Sequence, residues 1–232
     1  MPLLLGSFTL IQVNVSIDNM DFIDLPVPEE EDSLRALCEA SFPVRYCDRF
    51  YSLLVHPSLL KGEFFVRALY RPKPSGRLGR ELLGMMCCLI LEATDKLAQN
   101  ALSPLQGWPF RVFLNGEPVL RPYGYLMSIA VTVKRSGLGS RLLQEFETLM
   151  WSAGCVLVFL HTSDDNEIAH QFYTHHGYKR VREQRNFYCY GNRIHSGLVY
   201  LKPRVPGQVY ASPGSPIPII RSRFEMYYYS QK

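Results

Sequence analysis

The sequence predicts an α/β domain with a mixed central β-sheet flanked by helices. Three observations predict it. From residue 64 to residue 201, apolar runs of strand length alternate with segments of helical period. A strand pattern over 125–133 passes through a basic, glycine-bearing turn into an amphipathic helix over 139–153. A second such unit follows at once, a strand over 156–161 and a short helix over 167–176 stopped by Gly177.

The elements follow in order. Residues 1–17 carry no charged side chain, and Gln12, Asn14 and Ser16 alternate with Ile11, Val13, Val15 and Ile17. That alternation reads as a half-buried strand rather than the apolar centre of a leader, which would also need a basic start. A short apolar run at 22–25 precedes Pro28, Glu29, Glu30, Glu31 and Asp32, a helix first turn with carboxylates at the positive end of the dipole. Leu34, Leu37 and Cys38 give its buried face, and Phe42-Pro43 ends it. A second helix spans 48–55 and stops before Pro57. Strands are predicted over 64–70 and 82–94, separated by the turn-rich 71–80. Residues 97–122 hold four prolines and two glycines without a lasting period, a surface insertion with a small hairpin at 110–120. The helix at 139–153 turns Leu142, Leu143, Phe146 and Leu149 inward. Strands over 178–182 and 197–201 complete the sheet on either side of 186–194. The expected organisation is a strand-like extension at 1–20, one domain at 21–202, and a Pro/Gly/Tyr-rich tail at 203–232.

Composition narrows the function classes. A net charge of +4 over 232 residues does not make a nucleic-acid binder. No apolar stretch reaches the length needed to span a bilayer. Six cysteines form no C-x-x-C or metal-spaced cluster, so a metal site is not expected, and buried thiols are favoured over disulfides. His170, His175 and His176 share a short helix at spacings that suit a solvated surface better than a metal.

The chemistry concentrates at Lys134, Arg135, Ser136, Gly137, Leu138, Gly139 and Ser140, between a strand and a helix. Glycines let backbone N–H groups approach a phosphate, and the helix start adds unpaired donors and a positive dipole. The loop is neither a Walker sequence nor a dinucleotide fingerprint. The next unit reads Asn166-x-x-Ala169-x-x-Phe172-Tyr173-x-x-x-Gly177-Tyr178. Together the two resemble the acetyl-CoA motif of the Gcn5-related N-acetyltransferase (GNAT) superfamily. Within it, Phe42-Pro43-Val44-Arg45-Tyr46 with Asp48-Arg49-Phe50-Tyr51, the strand segments Tyr125-Leu126-Met127-Ser128 and Leu160-His161, and Asn186-Phe187-Tyr188 resemble motifs of NatE and NatF type N-alpha-acetyltransferases. The resemblance covers about residues 21–202. It departs at Lys134, where Gln or Arg is usual, at a strand segment two residues short, and at Arg45.

The resemblance implies a GNAT fold with its cofactor cleft between two splayed parallel strands, and acetyl transfer from acetyl-CoA to the α-amine of a peptide or protein N-terminus. It implies Tyr125, His161 and Tyr173 as catalytic residues; an ungapped alignment would put Tyr123 in place of Tyr125, which the following Leu-Met-Ser favours. Ile129, Ala130, Val131, the loop 134–140, Asn166, Ala169 and Tyr173 would hold the coenzyme. Phe42, Pro43, Val44 and Tyr46 would wall a pocket for a first methionine, with Phe187 and Tyr188 over the peptide. Other readings stay open: lysine or small-amine acetylation, or a silent coenzyme-binding partner in an acetyltransferase complex. A cytoplasmic protein is expected, with a ribosome-associated complex as one setting.

Overall fold

A computed structural model describes residues 20–57, 64–73, 78–92, 112–114, 117–119 and 122–204. Its strands are β1 Phe22–Asp24, β2 Phe64–Pro72, β3 Arg80–Leu91, β4 Val112–Leu114, β5 Glu117–Val119, β6 Tyr123–Val131, β7 Leu157–Ser163, β8 Lys179–Tyr190 and β9 Arg193–Pro203. Its helices are α1 Glu31–Ser41, α2 Asp48–Val55, α3 Leu138–Ser152 and α4 Glu167–His175. Seven strands form one sheet in the order β1-β2-β3-β6-β7-β9-β8, and β4 pairs with β5 in a separate ribbon. Within the sheet only β6 and β7 run parallel.

Alternation along the strands divides the interior into two layers. Adjacent Cys87 and Cys88 illustrate it: Cys87 packs with Leu34, Phe50 and Leu54 of α1 and α2, whereas Cys88 packs with Leu142, Phe146 and Met150 of α3. All six cysteines are unbridged. α4 lies on the α3 side through Tyr173, which packs with Tyr178 and Tyr200. Each fully buried Leu or Phe in these layers contributes about 1.5–3 kcal/mol relative to exposure.

The acidic segment starts a helix, but it does a second thing that composition does not reveal. Pro28–Glu30 form a 3-10 turn, and α1 begins at Glu31. Glu30 is 5% exposed and takes a two-pronged bond from Arg80, at 2.9 and 2.7 Å. The Tyr70 hydroxyl donates to the same carboxylate at 2.8 Å, and the Arg80 guanidinium lies 3.9 Å over the Tyr70 ring. This cluster fastens the turn before α1 to β2 and β3. Removing Arg80 would leave the buried Glu30 carboxylate without a counter-charge, at a cost of about 3–5 kcal/mol.

Several predicted boundaries move. The helix at 48–55 matches α2, and the hairpin predicted at 110–120 contains β4 and β5. β6 begins at Tyr123 and ends at Val131, two residues ahead of the predicted 125–133. The two short strands expected at 178–182 and 197–201 are a long hairpin, β8 and β9, joined through Gly191 and Asn192, both at positive φ. The strand expected in residues 1–17, most of the insertion and the tail beyond residue 204 lie outside the described residues.

Candidate active site

The β6–β7 ladder holds for four register pairs, from Tyr123↔Leu157 to Leu126↔Leu160, and then ends. Beyond it the strands part, leaving the β7-facing edge of Met127–Val131 outside the ladder. A β-bulge helps to turn β6 away: Cys87 of β3 opposes Ser128 and Cys88 opposes Leu126, so Met127 is an extra residue. Ile129, Ala130 and Val131 therefore lie on the released edge. An extended amide-bearing arm can pair with such an edge as an added strand would.

The bulge also sets which side chains share a face. Tyr123, Tyr125 and Ala130 belong to the α1–α2 layer, and Leu126 to the α3–α4 layer. In β7, Phe159 lies in the α1–α2 layer, and His161 follows two positions later on the same face. Tyr125 and His161 consequently meet edge to face, with ring centroids 5.6 Å apart. Tyr123 pairs with Leu91 and Leu157, two positions deeper in the ladder. Of the two tyrosines, Tyr125 is the one beside the imidazole.

His161 is the first β7 residue past the parting and is 8% exposed. Phe187 stacks on its ring, centroids 4.2 Å apart and planes 4° from parallel. The imidazole Nε2 lies 2.5 Å from Gln184 Oε1. Burial lowers the imidazole pKa to about 4; the Gln184 bond opposes this and the Arg182 charge reinforces it. The ring is thus neutral at neutral pH.

Phe187 reaches this position through an irregularity in β8. Gln184 opposes Gly197 and Tyr188 opposes His195, so Arg185, Asn186 and Phe187 face the single residue Ser196. Asn186 adopts φ 57 in this bulge. The Phe187 ring lies so close to Gly197 that a Cβ there would fall 2.7 Å from it. Farther along, Ser163 Oγ lies 2.6 Å from the Tyr190 hydroxyl, which donates to Asp165 at 2.5 Å, and His195 stacks on Tyr190 at 4.1 Å. These contacts hold the hairpin against the end of β7.

On the opposite layer, residues 132–137 form an exposed turn after β6. Gly137 is the residue before α3, at φ 83, a left-handed conformation that glycine adopts without strain. No side chain caps the helix, so the N–H groups of Leu138, Gly139 and Ser140 have no intrahelical acceptor. Lys134 and Arg135 stand exposed beside them, and Ser136 Oγ donates to the Val133 carbonyl at 2.7 Å. These residues fit a pyrophosphate: uncapped amides, a positive dipole and two cations. Arg141 is committed elsewhere, donating to the Asp21 carbonyl.

Asn166 caps α4, its Oδ1 accepting from the Ala169 N–H at 3.1 Å. Tyr173 is 6% exposed, and burial pushes its phenol upward, so it keeps its proton. It lies in the α3–α4 layer rather than beside Tyr125 and His161. Tyr46 stacks on Phe50 at 4.1 Å and meets Phe42 edge-on at 6.0 Å. Pro43 is exposed in the same loop, Val44 half-buried, and Tyr188 sits edge-on to Phe187. Tyr46 and Tyr125 belong to the α1–α2 layer, Tyr173 to the α3–α4 layer, and Tyr188 to the hairpin strand β8. Two of the three histidines of α4 and its end are more engaged than a solvated surface implies. His170 bonds the Ser163 carbonyl and Glu167, and His176 bonds Ser140 Oγ at 3.0 Å and the Phe172 carbonyl; only His175 is exposed.

Gln184 and Arg182 do not stand out in the sequence, because they approach His161 from a bulged edge strand. The spacing of 23 residues between Gln184 and His161 carries no period that would flag it.

Residues 32–178 match the acetyltransferase (GNAT) family. In fold, the chain is similar to Arabidopsis thaliana NAA60 in complex with acetyl-CoA, with TM-score 0.66 and 16% identity over 80% of this chain and 99% of that one. It is similar to Arabidopsis thaliana Naa50 in complex with the bisubstrate analogue CoA-Ac-MVNAL, with TM-score 0.54 and 20% identity over 78% and 97% of the two chains. It is also similar to the ribosomal-protein-S18-alanine N-acetyltransferase of Escherichia coli, with TM-score 0.53 and 14% identity over 86% and 100%. No curated protein matches the sequence.

Proposed function

We propose that this chain, which belongs to the acetyltransferase (GNAT) family and so uses acetyl-CoA, acetylates the free α-amine of protein N-termini. The observation that carries the reading is the Tyr125–His161 pair, 5.6 Å apart at the parting of β6 and β7, with the imidazole neutral near pH 7.

The strength of that base discriminates between amines. A base with a pKa of about 4 does not strip an ammonium ion; it suits a substrate that arrives neutral. Near pH 7.4, roughly a quarter of α-amines are neutral, against about one lysine in a thousand. The α-amine reading is favoured on that ground. The neighbours in complex with the bisubstrate analogue CoA-Ac-MVNAL and named as a ribosomal-protein-S18-alanine N-acetyltransferase support it at the level of fold.

When bound, acetyl-CoA supplies an activated thioester. In the proposed arrangement, the amides of Leu138, Gly139 and Ser140, with Lys134, Arg135, Ser136 and Gly137, take the pyrophosphate. The Ile129–Val131 edge aligns the extended arm, and Asn166 and Ala169 shape the far wall. His161 takes a proton from the amine, directly or through a water, while Tyr125 orients it. Tyr173, kept protonated by burial, donates toward the departing sulfur. Phe42, Pro43, Val44 and Tyr46 give an apolar, partly exposed wall that suits a first methionine, and Phe187 and Tyr188 cover the peptide.

Purified protein, acetyl-CoA and a peptide panel with free or blocked α-amines test this. Turnover is expected on free methionine-starting peptides and lost on blocking. Acetylation that survives blocking would point to lysine or another amine. Coenzyme binding without turnover would point to a silent partner.

A further inference from the structure

We propose that Gln184 is a positioning residue that fixes His161 as its Nε2–H tautomer and reserves Nδ1 to receive the proton of the substrate amine. The proposal rests on the reading of His161 as the base.

The argument begins with what an amide oxygen can do. Gln184 Oε1 lies 2.5 Å from His161 Nε2, and a carboxamide oxygen only accepts. The hydrogen of this bond therefore belongs to Nε2. A neutral imidazole has one N–H, so Nδ1 holds the lone pair. Burial keeps the ring neutral, its pKa lowered to about 4. Nδ1 is itself buried and has no hydrogen-bond partner among the described residues. A buried acceptor without a donor is unfavourable, and an amine N–H or a water carrying its proton satisfies it.

The surroundings hold this orientation. Phe187 covers one face of the ring at 4.2 Å, and Tyr125 meets its edge at 5.6 Å. Turning the imidazole over would bring a carbon to Gln184 and lose the hydrogen bond. Both Gln184 and Phe187 border the β8 bulge, so one distortion of the backbone supplies the partner and the cover. Among the described residues, Tyr125 from β6 and Arg182 from β8 are the titratable or charged groups that act on the ring; its β9 neighbour Val199 carries none.

The transfer balances. The amine nitrogen forms the new C–N bond as the C–S bond breaks, and the electron pair of that bond leaves on sulfur. One amine proton passes to Nδ1, giving an imidazolium in which Nε2–H still donates to Gln184. The thiolate, hydrogen-bonded by Tyr173, takes a proton from solvent, and Nδ1 returns its proton to solvent.

Full-length protein labelled with nitrogen-15 histidine tests the assignment, with His161 signals identified by their loss in His161→Gln. The wild type is expected to show protonated Nε2 and bare Nδ1. Gln184→Met is expected to abolish that preference and lower kcat about tenfold or more, with KM for the peptide little changed. Gln184→Glu still accepts from Nε2 and should retain tautomer and turnover. Its carboxylate stabilises the imidazolium, so the acid limb of kcat moves to higher pH. An Nδ1–H tautomer in the wild type overturns the proposal whatever the activity. So does a Gln184→Met protein that keeps the original tautomer. A tautomer that changes as expected in Gln184→Met while kcat does not would overturn instead the reading of His161 as the base.

Discussion

Arg135 holds a left-handed backbone at φ 58 in the turn before α3, two residues from Gly137 at φ 83. A residue with a Cβ is strained there by about 1–2 kcal/mol, and glycine is not. Arg135→Gly should therefore stabilise the fold by about 0.5–1 kcal/mol, after allowing for the added freedom of the unfolded chain. The same change removes a cation from the proposed pyrophosphate site and should weaken acetyl-CoA binding. Urea denaturation and coenzyme titration read the two effects, which have opposite signs; a variant that loses both stability and affinity would count against this account. At this scale the sequence carries chemical type but not proximity. Tyr125, His161 and the loop at 134–140 can be named from their motifs. That Tyr125 rather than Tyr123 touches the imidazole depends on where the β6–β7 ladder ends, and that information lies in the pairing.

Among the elements, the β8–β9 hairpin has the most specific requirement. Phe187 lies across Gly197 and against His161, and a methyl at position 197 would overlap its ring. Gly197→Ala is expected to cost about 1–3 kcal/mol by overpacking and to lower turnover by displacing Phe187. Adding Phe187→Ala removes the clash, so the double variant should be more stable than the two single losses predict. Strictly additive stabilities in that cycle would show that the two residues do not interfere. Legibility differs from element to element for a physical reason. α2 has both an apolar face and a proline just past its end, and its predicted range matches. β8 is an edge strand whose residues Lys179, Arg180, Arg182, Glu183, Gln184, Arg185 and Asn186 are polar, and its bulges interrupt what alternation remains. Half of that hairpin therefore reads as loop in the sequence.

For the molecule as a whole, the sheet is two smaller sheets sharing a short parallel seam. β1, β2, β3 and β6 make one half, β7, β9 and β8 the other, and four register pairs join them. The α/β class follows from alternating periods, but the strand order and the length of the seam do not, since nothing in the composition of β6 marks where its partner leaves. Amides of Met127–Val131 that face the gap, and those of Leu138, Gly139 and Ser140, should exchange quickly in the free protein. Saturating acetyl-CoA should protect them; unchanged exchange at these positions would mean that the coenzyme binds elsewhere.

The open seam also bears on how long the protein lasts. A ligand that bridges the two halves binds only the folded chain, and at a hundred times its Kd adds about 2.7 kcal/mol to stability. That corresponds to a roughly hundredfold smaller open population, the population that proteases cut when opening is fast. The lifetime of the chain thereby becomes tied to the concentration of its own acetyl donor.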